Sequence, residues 1–193
     1  MKNFIHLLKN IVYMNKKIAC IWARDTPEDV LQIMEELWSL LVLNDFEIAS
    51  WNAVWADEYF AKGWNKVDSS KVTLYVPWYN LNKHLVVEWN KVIDYNSIIT
   101  NDKREEIDWY LSQVHRNWSK VKDYVRLLHR RNYWIIENSL CVICYTVDWT
   151  DRGGTWIWIR LAKLFWIPVF NLFYESEKDS FLQYINNLKN KCL

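Results

Sequence analysis

Short apolar runs bounded by charge or proline recur along this chain at 17–22, 46–49, 71–76, 140–146 and 168–173. Runs of that length, apolar without alternation, mark strands buried on both faces, as in a parallel sheet. Between them the period changes. Val30, Ile33, Met34, Leu37, Leu40 and Leu41 fall at helical spacing and give one apolar face. That helix opens on Arg24-Asp25-Thr26-Pro27-Glu28-Asp29, which predicts Thr26 at the N-cap, Pro27 at N1 and acid in the first turn. Further helices are expected from about Trp55 to Lys62, Val121 to Glu137, Thr155 to Phe165 and Lys178 to Asn190.

Strand alternating with helix predicts an α/β fold, a doubly wound parallel sheet in a Rossmann-like three-layer α/β/α arrangement. Residues 17–193 are read as one domain behind an N-terminal extension, 1–16. From 78 to 118 the pattern loosens into Asn-rich loops and a charged stretch, which predicts an insertion packed over one sheet edge. Phe4 to Met14 is apolar in places, but Lys9 interrupts it and it is too short to span a bilayer. It reads as a short helix or extension, with Met14 as an alternative start. No membrane partner is expected.

Charge narrows the function. With 24 Lys+Arg against 23 Asp+Glu the net charge is +1, so no global field holds a polyanion and only local basic patches can bind one. Four scattered cysteines do not make a disulfide scaffold, which points to a reduced, cytoplasmic setting. Cys141 and Cys144 have C-x-x-C spacing, but they lie in an expected strand where i and i+3 face opposite sides, so packing explains them better than a metal. His6, His84, His115 and His129 show no ligand spacing. No metal and no cofactor are expected.

Composition holds the anomaly. Glycine occurs 3 times and tryptophan 14 times, where roughly 7% glycine is usual. Trp166 stands between a helix end and the strand after Pro168, a position that favours glycine in the left-handed region. Trp22, Trp51, Trp55, Trp149, Trp156 and Trp158 stand at strand-to-helix turns, where glycine lets the backbone approach a phosphate. Reading eleven tryptophans (22, 38, 51, 55, 64, 89, 134, 149, 156, 158 and 166) as glycine brings the glycine count to fourteen, near the roughly 7% expected. Trp78, Trp109 and Trp118 fit as true tryptophans. The expectation is a gene from a lineage, or a virus of one, that decodes UGA as glycine. The alternative is a Trp-rich protein whose rings are core or a stacking surface.

With glycine in mind, Ile21-Trp22-Ala23-Arg24-Asp25-Thr26-Pro27 resembles a G-S-R-x-T-P turn. Ser50-Trp51-Asn52-Ala53-Val54-Trp55-Ala56-Asp57 resembles S-G-G-A-x-G-A-D, and Gly153-Gly154-Thr155-Trp156 resembles G-G-T-G. Joined by Val76-Pro77-Trp78 and Leu128-His129-Arg130-Arg131-Asn132, they are similar to the SLOG superfamily. That group includes DNA-processing protein A (Smf) and the Lonely guy phosphoribohydrolases; the nearest likeness is to phage and bacterial DNA recombination-mediator protein A-like proteins.

The resemblance implies binding of a nucleotide or nucleotide-derived small molecule at the carboxyl ends of the strands. The implied nucleotide-binding residues are Arg24, Asp25, Ser50, Trp51, Asn52, Trp55, Asp57, Arg131, Gly153, Gly154, Thr155 and Trp156. Arg24 and Arg131 would hold phosphate, Gly153 to Thr155 would form the backbone cradle and Asp57 would accept from a sugar hydroxyl. His129 is expected to line the site. A Lonely guy-like N-glycosidase is the first alternative, but the place of the family's catalytic Glu falls at Ile159 or Arg160, neither a carboxylate. No catalytic residue is assigned. The second alternative is single-stranded DNA binding, for which Arg116, Lys120, Lys122, Arg126, Arg130 and Arg131 offer a basic helix face against one acid, Asp123. Relatives often form homodimers, and a homodimer is expected on that ground alone.

Overall fold

The structure of the protein, a computed structural model, describes residues 16–22, 26–51, 63, 66–137, 139–147 and 153–191. Six parallel strands form one sheet in the order β4-β3-β2-β1-β5-β6: β1 (Lys17–Trp22), β2 (Glu47–Ser50), β3 (Val72–Val76), β4 (Lys91–Asp94), β5 (Cys141–Tyr145) and β6 (Val169–Asn171). Five helices flank it among the described residues: α1 (Glu28–Leu43), α2 (Asn101–Val114), α3 (Asp123–Ile136), α4 (Gly153–Leu164) and α5 (Glu175–Lys191), beside a single helical turn at Tyr95–Ile98. The doubly wound α/β reading holds.

Strand alternation makes two cores from one sheet. Ile18, Cys20 and Trp22 of β1 with Cys141, Ile143 and Tyr145 of β5 point to one face, under α1 and α5. Ala19 and Ile21 with Val142 and Cys144 point to the other, under α2, α3 and α4. Apart from Lys17 at the start of β1, both central strands are therefore apolar throughout, as two covered faces demand. Cys141 and Cys144 lie on opposite faces, fully buried, and burial pushes both thiols up from their ordinary range.

Three sequence expectations shift in the structure. Pro27, not Thr26, takes the N-cap of α1, with φ −61° and ψ 151°; the fixed φ of proline suits that place as well as N1, and Thr26 is drawn into the interior. The face that α1 buries is Leu31, Met34, Trp38, Leu41 and Val42, while Ile33 and Leu40 stand exposed. On this face the Trp38 ring meets Trp22 edge-on at 5.9 Å between centroids. The segment 78–118 supplies the edge strand β4 itself and helix α2, so its polar loops alternate with elements of the sheet and of one helical layer.

Candidate functional site

In this strand order β1 neighbours both β2 and β5, and the chain changes direction across the sheet at the β1/β5 pair. Open parallel sheets bind ligands in the crevice outside the carboxyl ends of the strands at such a switch point. Ser50 ends β2 there, fully buried, and Trp51 follows it. Gly153 and Gly154 open α4, and Thr155 in its first turn donates from Oγ1 to the Trp22 carbonyl at 3.4 Å, tying that helix start to the end of β1. Arg24, Asp25, Asn52, Trp55 and Asp57 lie outside the described residues.

Arg131 reaches this edge from the middle of α3. Only 4% exposed, it donates from Nη1 to the Trp51 carbonyl at 3.3 Å and stacks on the Trp51 ring at 5.1 Å. Trp51 in turn meets Trp158 edge-on at 5.1 Å. Asn132, with its amide oriented to satisfy both atoms, donates to the Leu128 carbonyl at 2.6 Å and accepts from the Trp158 indole N–H. Beside them Arg160 stacks on Trp156 at 3.7 Å and donates to the Val114 carbonyl at 3.1 Å. Among the described residues, indole rings thus cover the guanidinium groups of Arg131 and Arg160. Position 159, like 160, offers no acid: Ile159 is buried in the core.

A second cluster adjoins the first. His115 at the end of α2, Trp118 in the following turn and His129 on α3 pack with ring centroids 5.4 to 6.0 Å apart, and Arg126 stacks on Trp118 at 5.5 Å. Arg126 also donates to the carbonyls of Trp118 and Ser119, at 3.3 and 3.1 Å. Burial, helped by His115 and Arg131, lowers the His129 pKa to about 4, so its ring is neutral at pH 7.

The basic run of 115–131 divides in three dimensions. Arg116, Lys120 and Lys122 are exposed and Arg126 is half-buried. Arg130 turns away to α2, where it forks onto Asp108 through bonds of 2.7 and 2.6 Å, and Arg131 turns into the sheet edge. The expected basic face is therefore a smaller patch of four cations, with Trp118 half-buried within it and Tyr124 59% exposed beside it. Asn171 gives no sequence signal at all, yet it is fully buried and clamps the end of β5 by bonding both the N–H and the carbonyl of Thr146, at 3.1 and 2.7 Å.

A cavity of about 380 Å³ opens at the opposite, amino edge of the sheet, bordered by Glu106, Tyr110, Tyr133, Glu137 and Phe165. Lys103 occupies its acidic side, 2.8 Å from Glu137 and 3.2 Å from Glu106. No group of three or more metal-ligating side chains occurs among the described residues. None of the described helices is long and apolar enough to cross a membrane.

No family model matches the chain, and no curated protein matches it in sequence. Among solved structures, DNA processing protein A from Helicobacter pylori, described for its single-stranded DNA binding mode, is similar with a TM-score of 0.53. The match covers 94% of this chain and 80% of that one at 18% identity. The likeness is one of fold. It agrees with the Rossmann-like α/β architecture expected from the alternation of strands and helices.

Proposed function

We propose that this chain binds single-stranded nucleic acid across the surface formed by residues 115–126. The observation that carries this reading is the local grouping of Arg116, Lys120, Lys122 and Arg126 around Trp118 and Tyr124 on a chain whose net charge is only +1. Cations track a phosphate backbone while aromatic faces stack bases without sequence preference, and a single strand offers both. The fold shared with a protein described for its single-stranded DNA binding mode supports the same reading.

The test is fluorescence anisotropy of a labelled oligonucleotide across a salt series. Binding should weaken with salt at a log–log slope near −0.7 per phosphate neutralised, thus about −2 to −3 for the four cations. Lys120→Glu with Lys122→Glu should cut that slope by about 1.4, and Trp118→Ala should cost about 1–3 kcal/mol of binding. No binding at 50 mM salt would sink the proposal.

A nucleotide or nucleotide derivative in the switch-point crevice is the second reading, favoured by the burial of Arg131 beside the end of β2. It predicts saturable, weakly salt-dependent binding of a nucleoside phosphate that Arg131→Met abolishes. An N-glycosidase has less support, because neither Ile159 nor Arg160 can serve as acid or base.

A further inference from the structure

Four described residues other than glycine have a positive φ: Asp45 at 66°, Asn82 at 49°, Trp89 at 75° and Trp166 at 57°. Asp and Asn visit the left-handed region because a short polar side chain bonds locally, whereas a bulky residue there is an outlier. Both tryptophans are held by motifs with a known requirement. The Asn90 N–H donates to the Val87 carbonyl at 3.1 Å and closes a β-turn with Trp89 third; since Glu88 is not left-handed, the turn is type II, whose third residue is normally glycine. At the end of α4 the Ile167 N–H donates to Ala162 at 2.9 Å and the Trp166 N–H to Lys163 at 3.1 Å. These two bonds are the Schellman pair, and they put Trp166 at C′, the residue most often glycine.

Neither ring gains anything from its place: Trp89 is 75% exposed and Trp166 92%. Trp51 and Trp134 show a different misfit, each burying an indole N–H that has no acceptor among the described residues. Trp78, Trp109 and Trp118, by contrast, all have negative φ.

We infer that the native chain carries glycine at 89 and 166, and by the same codon at 22, 38, 51, 55, 64, 134, 149, 156 and 158, because its gene reads UGA as glycine. Positions 55, 64 and 149 lie outside the described residues, and 22, 38, 156 and 158 show no backbone misfit, so these seven enter on sequence alone. Glycine at 51 and 156 removes the two rings stacked on Arg131 and Arg160 and leaves their guanidinium groups bordering an open carboxyl edge, a setting for a phosphate-bearing ligand. The inference is independent of nucleic-acid binding, since Trp118 and Tyr124 are not among the eleven.

The experiment is to read the codons of the gene and, by mass spectrometry, the peptides of the protein purified from its source cells. UGA at all eleven positions, UGG at 78, 109 and 118, and glycine in the peptides spanning 89 and 166 is the expected result. UGG at 89 and 166, or tryptophan in those peptides whatever the codon, would overturn it. Absence of DNA binding would leave this result untouched.

Discussion

Asp45 and Trp166 hold the same place in two helix ends. After α1 the Phe46 N–H donates to Leu41 at 3.1 Å and the Asp45 N–H to Val42 at 2.9 Å, the same Schellman pair that closes α4. Asp45 has compensation: Lys71 lies 2.6 Å from its carboxylate and Lys16 also contacts it, and those bonds hold its pKa down to about 2. Trp166 has none. Trp166→Gly should therefore raise stability by about 1 kcal/mol, read from urea unfolding, and an unchanged midpoint would count against strain at that residue. Gly63 is the reverse case. A Cβ there would strike the Glu35 carbonyl of α1, with the Glu35 Cα at 3.0 Å, so Gly63→Ala should cost about 1–3 kcal/mol. His129 makes stability depend on pH. Its folded pKa of about 4 lies below the ordinary 6.5, so the unfolded chain takes up its proton first as pH falls. The neutral-ring stability is whole above about pH 6.5 and drains as pH falls toward 4. Between pH 7 and 4.5 the parent should lose about 2 kcal/mol more than His129→Gln.

Among the elements, α3 carries the most divided load. One helix places His129 against Trp118, Arg130 against α2 and Arg131 against the sheet edge, because successive residues point about 100° apart. The Asp108–Arg130 fork is bidentate and mostly buried, so a double-mutant cycle of Asp108→Asn with Arg130→Met should return a coupling of about 1–2 kcal/mol. A coupling near zero would mean that α2 docks by its apolar face alone, through Ile107, Leu111 and Val114. The boundaries of α3 and β5 were legible from period and run length to within two residues. The buried face of α1 was not: two overlapping apolar stripes were available, and packing against the sheet selected the one with Leu31, Met34, Leu41 and Val42.

At the scale of the molecule, the sheet separates two edges with different chemistry. The carboxyl edge collects Arg131, Arg160 and the start of α4, with the basic-aromatic patch of 115–126 beside it. At the amino edge Lys103 pairs with Glu137 at 2.8 Å, and Lys17 donates to the Glu137 carbonyl at 2.7 Å and, mainly through burial, is brought down to about pKa 8. Nucleic acid should feel only the first. Lys163→Glu, an exposed change near the amino end of β6, should leave oligonucleotide affinity within about twofold, whereas the same reversal at Lys120 should weaken it several-fold at low salt.

The sequence by itself determined five of the six strands, all but β4, together with the parallel α/β class, the burial of Cys141 and Cys144 and the left-handed residue at 166. All of these rest on period, run length or capping within a few neighbouring residues, so local sterics and side-chain alternation settle them. Tertiary structure decided the strand order, the place of β4 at the sheet edge, the rotation of α1 and the different fates of Arg126, Arg130 and Arg131. Those depend on partners 22 residues away for Arg130 and 80 away for Arg131, and no local pattern encodes which distant group a long cation will meet.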